Sequence, residues 1–170
     1  MDLTATQYGD VVIYIENLYQ GDLDRSILAN INIIPWTNWL KVWMQSLNLE
    51  NNLERDCEIS LRFTSDRQIQ DLNCQYRAID RPTDVLAFAA TESEIIIPSE
   101  IDEPLYLGDI IISLDTANRQ AREQNHSLAT ELAWLSSHGL LHLLGWDHPD
   151  EVSLNRMLQR QSQLVELLKI

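Results

Sequence analysis

Three of the four histidines fall within eleven residues, in the run HGLLHLLGWDH from His138 to His148. His138 and His142 stand four apart inside a helical pattern. That spacing puts both imidazoles on one helix face, with Cβ atoms about 5–6 Å apart, near enough to share a metal ion. Gly145 follows three residues after His142, where a left-handed glycine can stop the helix and turn the chain back. His148 arrives three residues later and supplies a third ligand. Three neutral imidazoles leave a coordination position open, the arrangement of a catalytic zinc centre rather than a closed structural one. Nickel and cobalt suit the same donors. His126, in the turn QNHS, stands outside this constellation and reads as a surface residue.

The spacing His-x-x-x-His-x-x-Gly-x-x-His also occurs in metzincin metallopeptidases, which carry a glutamate directly after the first histidine as general base. Here that position is Gly139. A peptidase without this carboxylate lacks its proton acceptor, so the ligand spacing agrees with proteolysis while the chemistry does not.

The elements that must hold these histidines follow from pattern. Val11 to Tyr19 is a β-branched run that reads as a first strand. Residues 21–32 are polar, then mixed, without a clear period, and read as a loop. Pro35 introduces a helix whose stripe is Trp36, Trp39, Leu40, Trp43, Met44 and Leu47. Such a stripe packs on a core more readily than it forms a stacking platform. Glu58 to Phe63 alternates as a half-buried strand does. Ser65 and Asp66 offer N-caps to a helix reaching about Tyr76. Asp80, Arg81 and Pro82 form a turn before the strand Thr83 to Phe88. Thr91 to Glu103 encloses Ile95, Ile96 and Ile97 and reads as a hairpin arm or a flexible loop. Gly108 precedes a strand from Asp109 to Leu114. Helices then start at Asp115 or Thr116, at about Ser127 (ending at Leu144) and at Pro149 (ending at about Leu168). The expectation is one α+β domain over residues 1–170, with a small mixed sheet of about four strands, about five helices and a zincin-like metal-binding helix.

Composition narrows the function classes. The chain has 170 residues, 45% apolar and 22% charged, which suits a single globular domain. Twelve basic against 26 acidic residues give a net charge of −14, which argues against binding DNA or a membrane through a broadly positive surface. No apolar run approaches the ~18 residues of a membrane span. The N-terminus lacks the pattern of a secretion signal. Two cysteines, Cys57 and Cys74, without a C-x-x-C, point to a reducing, cytoplasmic setting and to small core residues. Ten of the twelve basic residues are arginine, and six of these, Arg62, Arg67, Arg77, Arg81, Arg119 and Arg122, lie in the middle of the chain. They are either scattered surface residues or a local cleft suited to bidentate phosphate contacts.

Three blocks resemble the YbeY family of bacterial ribosomal-RNA maturation endoribonucleases. The motif H-G-x-L-H-L-x-G-x-D-H is met by His138, Gly139, Leu141, His142, Leu143, Gly145, Asp147 and His148. A second block is matched by Leu72, Asn73, Tyr76, Arg77, Asp80, Pro82, Thr83, Asp84, Val85, Leu86 and Phe88. A third is Leu107 to Ile110, followed by Ser113, Gln120 and Ala121. The blocks cover about Leu72 to His148. Ala87, Phe88 and Ala89 depart from the family's Ser then Phe-Pro, and residues 21–32 look like a loop insertion; neither change touches the histidines or Arg77.

The resemblance implies one zinc ion held by His138, His142 and His148, with Arg77 as a functional residue near it. It implies cleavage of single-stranded RNA in the maturation of small-subunit (16S) ribosomal RNA, notably its 3′ end, and a part in ribosome quality control. Arg77 has the fork to hold a non-bridging phosphate oxygen, or else pairs with Asp80 or Asp84. Asp147 is placed to orient a histidine, with Asp84 and Asp109 as further supporting carboxylates. Tyr76 and Trp146 flank the motifs, and Trp146 either stacks on an RNA base or packs in the core. Attack by water and attack by the RNA 2′-hydroxyl both stay open. The net charge favours recruitment to the ribosome or its small subunit by a ribosomal protein or an assembly GTPase. Two other readings stand beside this one: a metal-containing, non-catalytic ribosome assembly factor, and a metallopeptidase.

Overall fold

Alternation in CEISLRFT sets the sheet. β2 (Cys57–Thr64) buries Ile59, Leu61 and Phe63 on one face and sends Glu58 and Arg62 to the other, as a period of two requires. The computed structural model describes residues 10–51, 55–92 and 103–170. β2 runs parallel to β1 (Val11–Asn17) on one side and to β4 (Leu105–Ser113) on the other. β3 (Val85–Ala89) pairs antiparallel with the outer side of β4, giving the mixed order β1-β2-β4-β3. Six α-helices accompany the sheet among the described residues, one more than the five expected: α1 (Arg25–Asn32), α2 (Trp36–Asn51), α3 (Asp66–Arg77), α4 (Leu114–Glu123), α5 (Leu128–Leu143) and α6 (Glu151–Glu166).

One apolar cluster joins the face bearing Ile59, Leu61, Phe63, Ile110 and Ile112 to α2, α5 and α6. The opposite face carries a smaller cluster, Ile69 of α3 with Leu86 and Ile111. The tryptophan stripe of α2 belongs to the larger core and forms no stacking platform. Trp43 is fully buried, and its indole N–H donates to the carbonyl of Leu164 in α6 at 2.8 Å, so a buried polar atom finds its partner across the core.

Several local expectations are corrected. The loop expected over 21–32 contains α1, because the Asp24 carboxylate accepts the Ser26 amide at 2.7 Å as an N-cap and Ile31 is buried. Two helical turns are too short to show a period, so burial rather than pattern decides that segment. β4 begins at Leu105 rather than Asp109: the register passes from Glu58↔Tyr106 to Ile59↔Gly108, which makes Leu107 the extra residue of a bulge. Cys57 is buried as expected, but Cys74 is exposed on α3. Ile95, Ile96 and Ile97 lie outside the described residues. Among the described residues no helix is long and apolar enough to cross a membrane.

Candidate metal centre

α5 is the buried helix of the fold. Ser127 caps it by accepting the Thr130 amide at 3.0 Å, and Leu132, Leu135, Leu140, Leu141 and Leu143 are buried along it. A helix apolar on nearly every side sits within the core. His138 and His142 interrupt that surface and open, half-buried, into a cavity of about 960 Å³. The helix then ends as the glycine predicts. Gly145 has φ +89°, its N–H donates to the His142 carbonyl at 3.0 Å, and the Trp146 N–H donates to Leu141 at 3.0 Å. This pair of bonds is a Schellman motif, which needs a left-handed residue at that point. The reversed chain carries His148 back toward the helix, and the Asp147 carboxylate accepts the His148 amide at 2.8 Å.

The ligand atoms of His138, His142 and His148 all lie within 4.8 Å of one another. The Nε2 atoms of His138 and His142 are 3.1 Å apart. Tetrahedral zinc–nitrogen bonds of the usual length separate their nitrogens by about 3.3 Å, so this pair fits one ion with little movement. Burial, and then the neighbouring His142, holds the pKa of His138 below the ordinary histidine value; burial and then His148 do the same at His142. Both effects favour the neutral imidazole, the form that ligates a metal.

Arg77 closes α3, where Ala78 takes a left-handed φ of 57° and the helix stops. Buried Asn73 donates its amide to the Arg81 carbonyl at 2.9 Å and pins the following loop. The exposed Arg77 guanidinium donates to the Ala87 carbonyl at 3.2 Å and lines the same cavity as the histidines. Among the described residues no ion pair joins it to Asp80 or Asp84. Asp80 accepts instead from Gln70 at 2.8 Å, and Asp84 from the Val85 amide at 2.8 Å and the Gln120 side chain at 3.1 Å.

Asp84 and Asp147 both line the cavity, although Asp147 bonds to a backbone amide rather than to a histidine ring. Asp109 is not part of the cavity. Strand alternation turns it away from the face where Ile110 meets α5, and its carboxylate lies 3.9 Å from Arg62. Trp146 packs against the main core, as one of its two readings expected, and also lines the cavity. Tyr76 is exposed and meets Phe88 edge-on at 5.2 Å. His126 is at the surface but pairs with Glu131, whose pKa is raised by burial.

One contact escaped the sequence reading. The Gln161 side chain, buried on α6, reaches Nδ1 of His138 at 3.2 Å. A polar residue at helical spacing between Met157 and Leu164, both buried, was the available signal.

A family model described as Endoribonuclease YbeY matches residues 24–169. The Endoribonuclease YbeY of Picosynechococcus sp. is 53% identical, covering 93% of this chain and 94% of that protein. The protein of the same description from Synechocystis sp. is 48% identical, covering 92% and 91%. The solution structure of a Thermotoga maritima protein is similar with a TM-score of 0.52 at 25% identity, covering 92% of this chain and 88% of that one.

Proposed function

The chain belongs to the YbeY endoribonuclease family, and from that premise we propose that it is a zinc-dependent endoribonuclease that cuts single-stranded ribosomal RNA. The observation that carries the reading is the convergence of three histidine ligand atoms within 4.8 Å, in a cavity that Arg77 also lines. A zinc ion held by His138, His142 and His148 supplies Lewis-acid stabilisation of charge on phosphoryl oxygens and acidifies water.

The chain's own residues do the rest. Arg77 places a bidentate cation where charge develops on the non-bridging oxygens, and the Ala87 carbonyl orients it. Trp146 offers an aromatic surface to a flanking base. Asp147 holds the turn that delivers His148, and Asp84 anchors the start of β3 to α4 through Gln120. Gly139 leaves no carboxylate directly after the first histidine, where a metzincin carries its general base, which speaks against a metallopeptidase.

In the same reading the substrate is the 3′ end of small-subunit (16S) ribosomal RNA, and the enzyme serves ribosomal RNA processing and ribosome quality control in the cytoplasm. A net charge of −14 resists free RNA, so a ribosomal protein or assembly GTPase brings the enzyme to the small subunit. The test is incubation of zinc-quantified protein with a labelled single-stranded 3′-end RNA, beside His142→Ala purified identically. Cleavage by the parent alone supports the reading. Equal cleavage by both, or none with one zinc per chain, favours the non-catalytic assembly factor. The product ends separate the chemistries: a 2′,3′-cyclic phosphate reports attack by the 2′-hydroxyl, and a 5′-phosphate reports water.

A further inference from the structure

The buried Gln161 amide is held at both ends. Its Nε2 donates to the Trp134 carbonyl at 2.9 Å, and its Oε1 lies 3.2 Å from Nδ1 of His138. A backbone carbonyl only accepts, so Trp134 dictates which end of the amide faces it. The amide oxygen is thereby turned toward the imidazole. That oxygen also only accepts, so Nδ1 of His138 must carry the hydrogen. A neutral imidazole has one N–H, which leaves the lone pair on Nε2. Nε2 is the atom 3.1 Å from Nε2 of His142, on the side where the three histidines converge.

We propose that Gln161 is a positioning residue for the metal centre: locked by the Trp134 carbonyl, its amide holds His138 in the Nδ1–H tautomer and presents Nε2 for ligation. The proposal rests on the metal reading above. It also gives α6 a role in that reading, because the residue that orients the first ligand comes from a different helix, 23 positions further along the chain. Neighbours that orient a ligating histidine in this way are worth roughly 10–100-fold in metal affinity.

The test has a readout that needs neither activity nor metal. Long-range ¹H–¹⁵N NMR of the metal-free parent should show His138 as the Nδ1–H tautomer. Gln161→Met keeps the volume and removes the acceptor; it should mix the tautomers and weaken zinc binding, measured by chelator competition, by about 10–100-fold. An Nε2–H tautomer in the parent overturns the proposal, as does zinc affinity in Gln161→Met equal to the parent's. Failure of the metal reading itself looks different: the parent takes up no zinc, which is seen before any variant is compared and overturns both. The parent tautomer is read without any substitution, so a Gln161 variant that does not fold still leaves the proposal open to refutation.

Discussion

A Cβ added to Gly139 would lie 2.7 Å from Cγ2 of Ile110, a side chain that is itself fully buried. α5 therefore rests directly on β4 one residue after His138. The glycine that stands where a metzincin carries its base is also the contact that sets the height of the histidine-bearing helix above the sheet. Gly139→Ala should destabilise the fold by about 1–3 kcal/mol through overpacking. A gain of about 1 kcal/mol in helix propensity offsets part of that cost. Urea unfolding of the zinc-free protein measures the balance, and a more stable variant would refute the close contact.

Removing a ligand should uncouple zinc from stability. At a hundredfold excess over its dissociation constant, a ligand that binds only the native state adds about 2.7 kcal/mol. Zinc should raise the Tm of the parent accordingly and leave that of His142→Ala nearly unchanged. An equal rise in both would show that zinc binds elsewhere.

Arg77 separates chemistry from folding. It is exposed, and the Ala87 carbonyl is the partner its guanidinium shows. Arg77→Ala should leave stability within about 0.5 kcal/mol, as for an ordinary surface site. RNA cleavage should fall about 10²–10³-fold, the loss typical of one preorganised donor at developing charge. Arg77→Lys should recover little, because an ammonium lacks the planar fork. Zinc content should match the parent in both. Undiminished cleavage by Arg77→Ala would remove it from the catalytic machinery.

Acid should loosen the junction of α3, β4 and α4 through Asp66. Burial works to raise the pKa of this carboxyl, but hydrogen bonds from Ser113, Thr116 and Arg119, at 2.6, 2.6 and 2.8 Å, prevail and hold it below the ordinary aspartate range. A carboxyl with a depressed native pKa stabilises fully above its unfolded value, and the stabilisation is lost as pH falls through the native one. Asp66→Asn should cost about 1–3 kcal/mol at pH 7. The gap between parent and variant should close as pH falls below the ordinary aspartate range; a gap that stays constant with pH would contradict this account.

The histidine cluster was legible in the sequence because its geometry is local. Four residues on a helix and a left-handed glycine place His138, His142 and His148 without help from distant elements, and Gly145 with φ +89° is where the spacing puts it. Four strands and the longer helices were legible for a similar reason, since alternation and the α2 stripe repeat often enough to be read. Tertiary structure decided what depends on contacts far apart in the chain. Burial of Ile31 makes 25–32 a helix, a bulge at Leu107 lengthens β4, and strand alternation removes Asp109 from the cavity that Asp84 and Asp147 line. It also gave Asp80 and Asp84 partners other than Arg77, whose guanidinium meets the Ala87 carbonyl, and brought Gln161 to His138 across 23 residues. A sequence carries its short-range periodicities openly, whereas a hydrogen bond between two helices exists only once the core has packed them together.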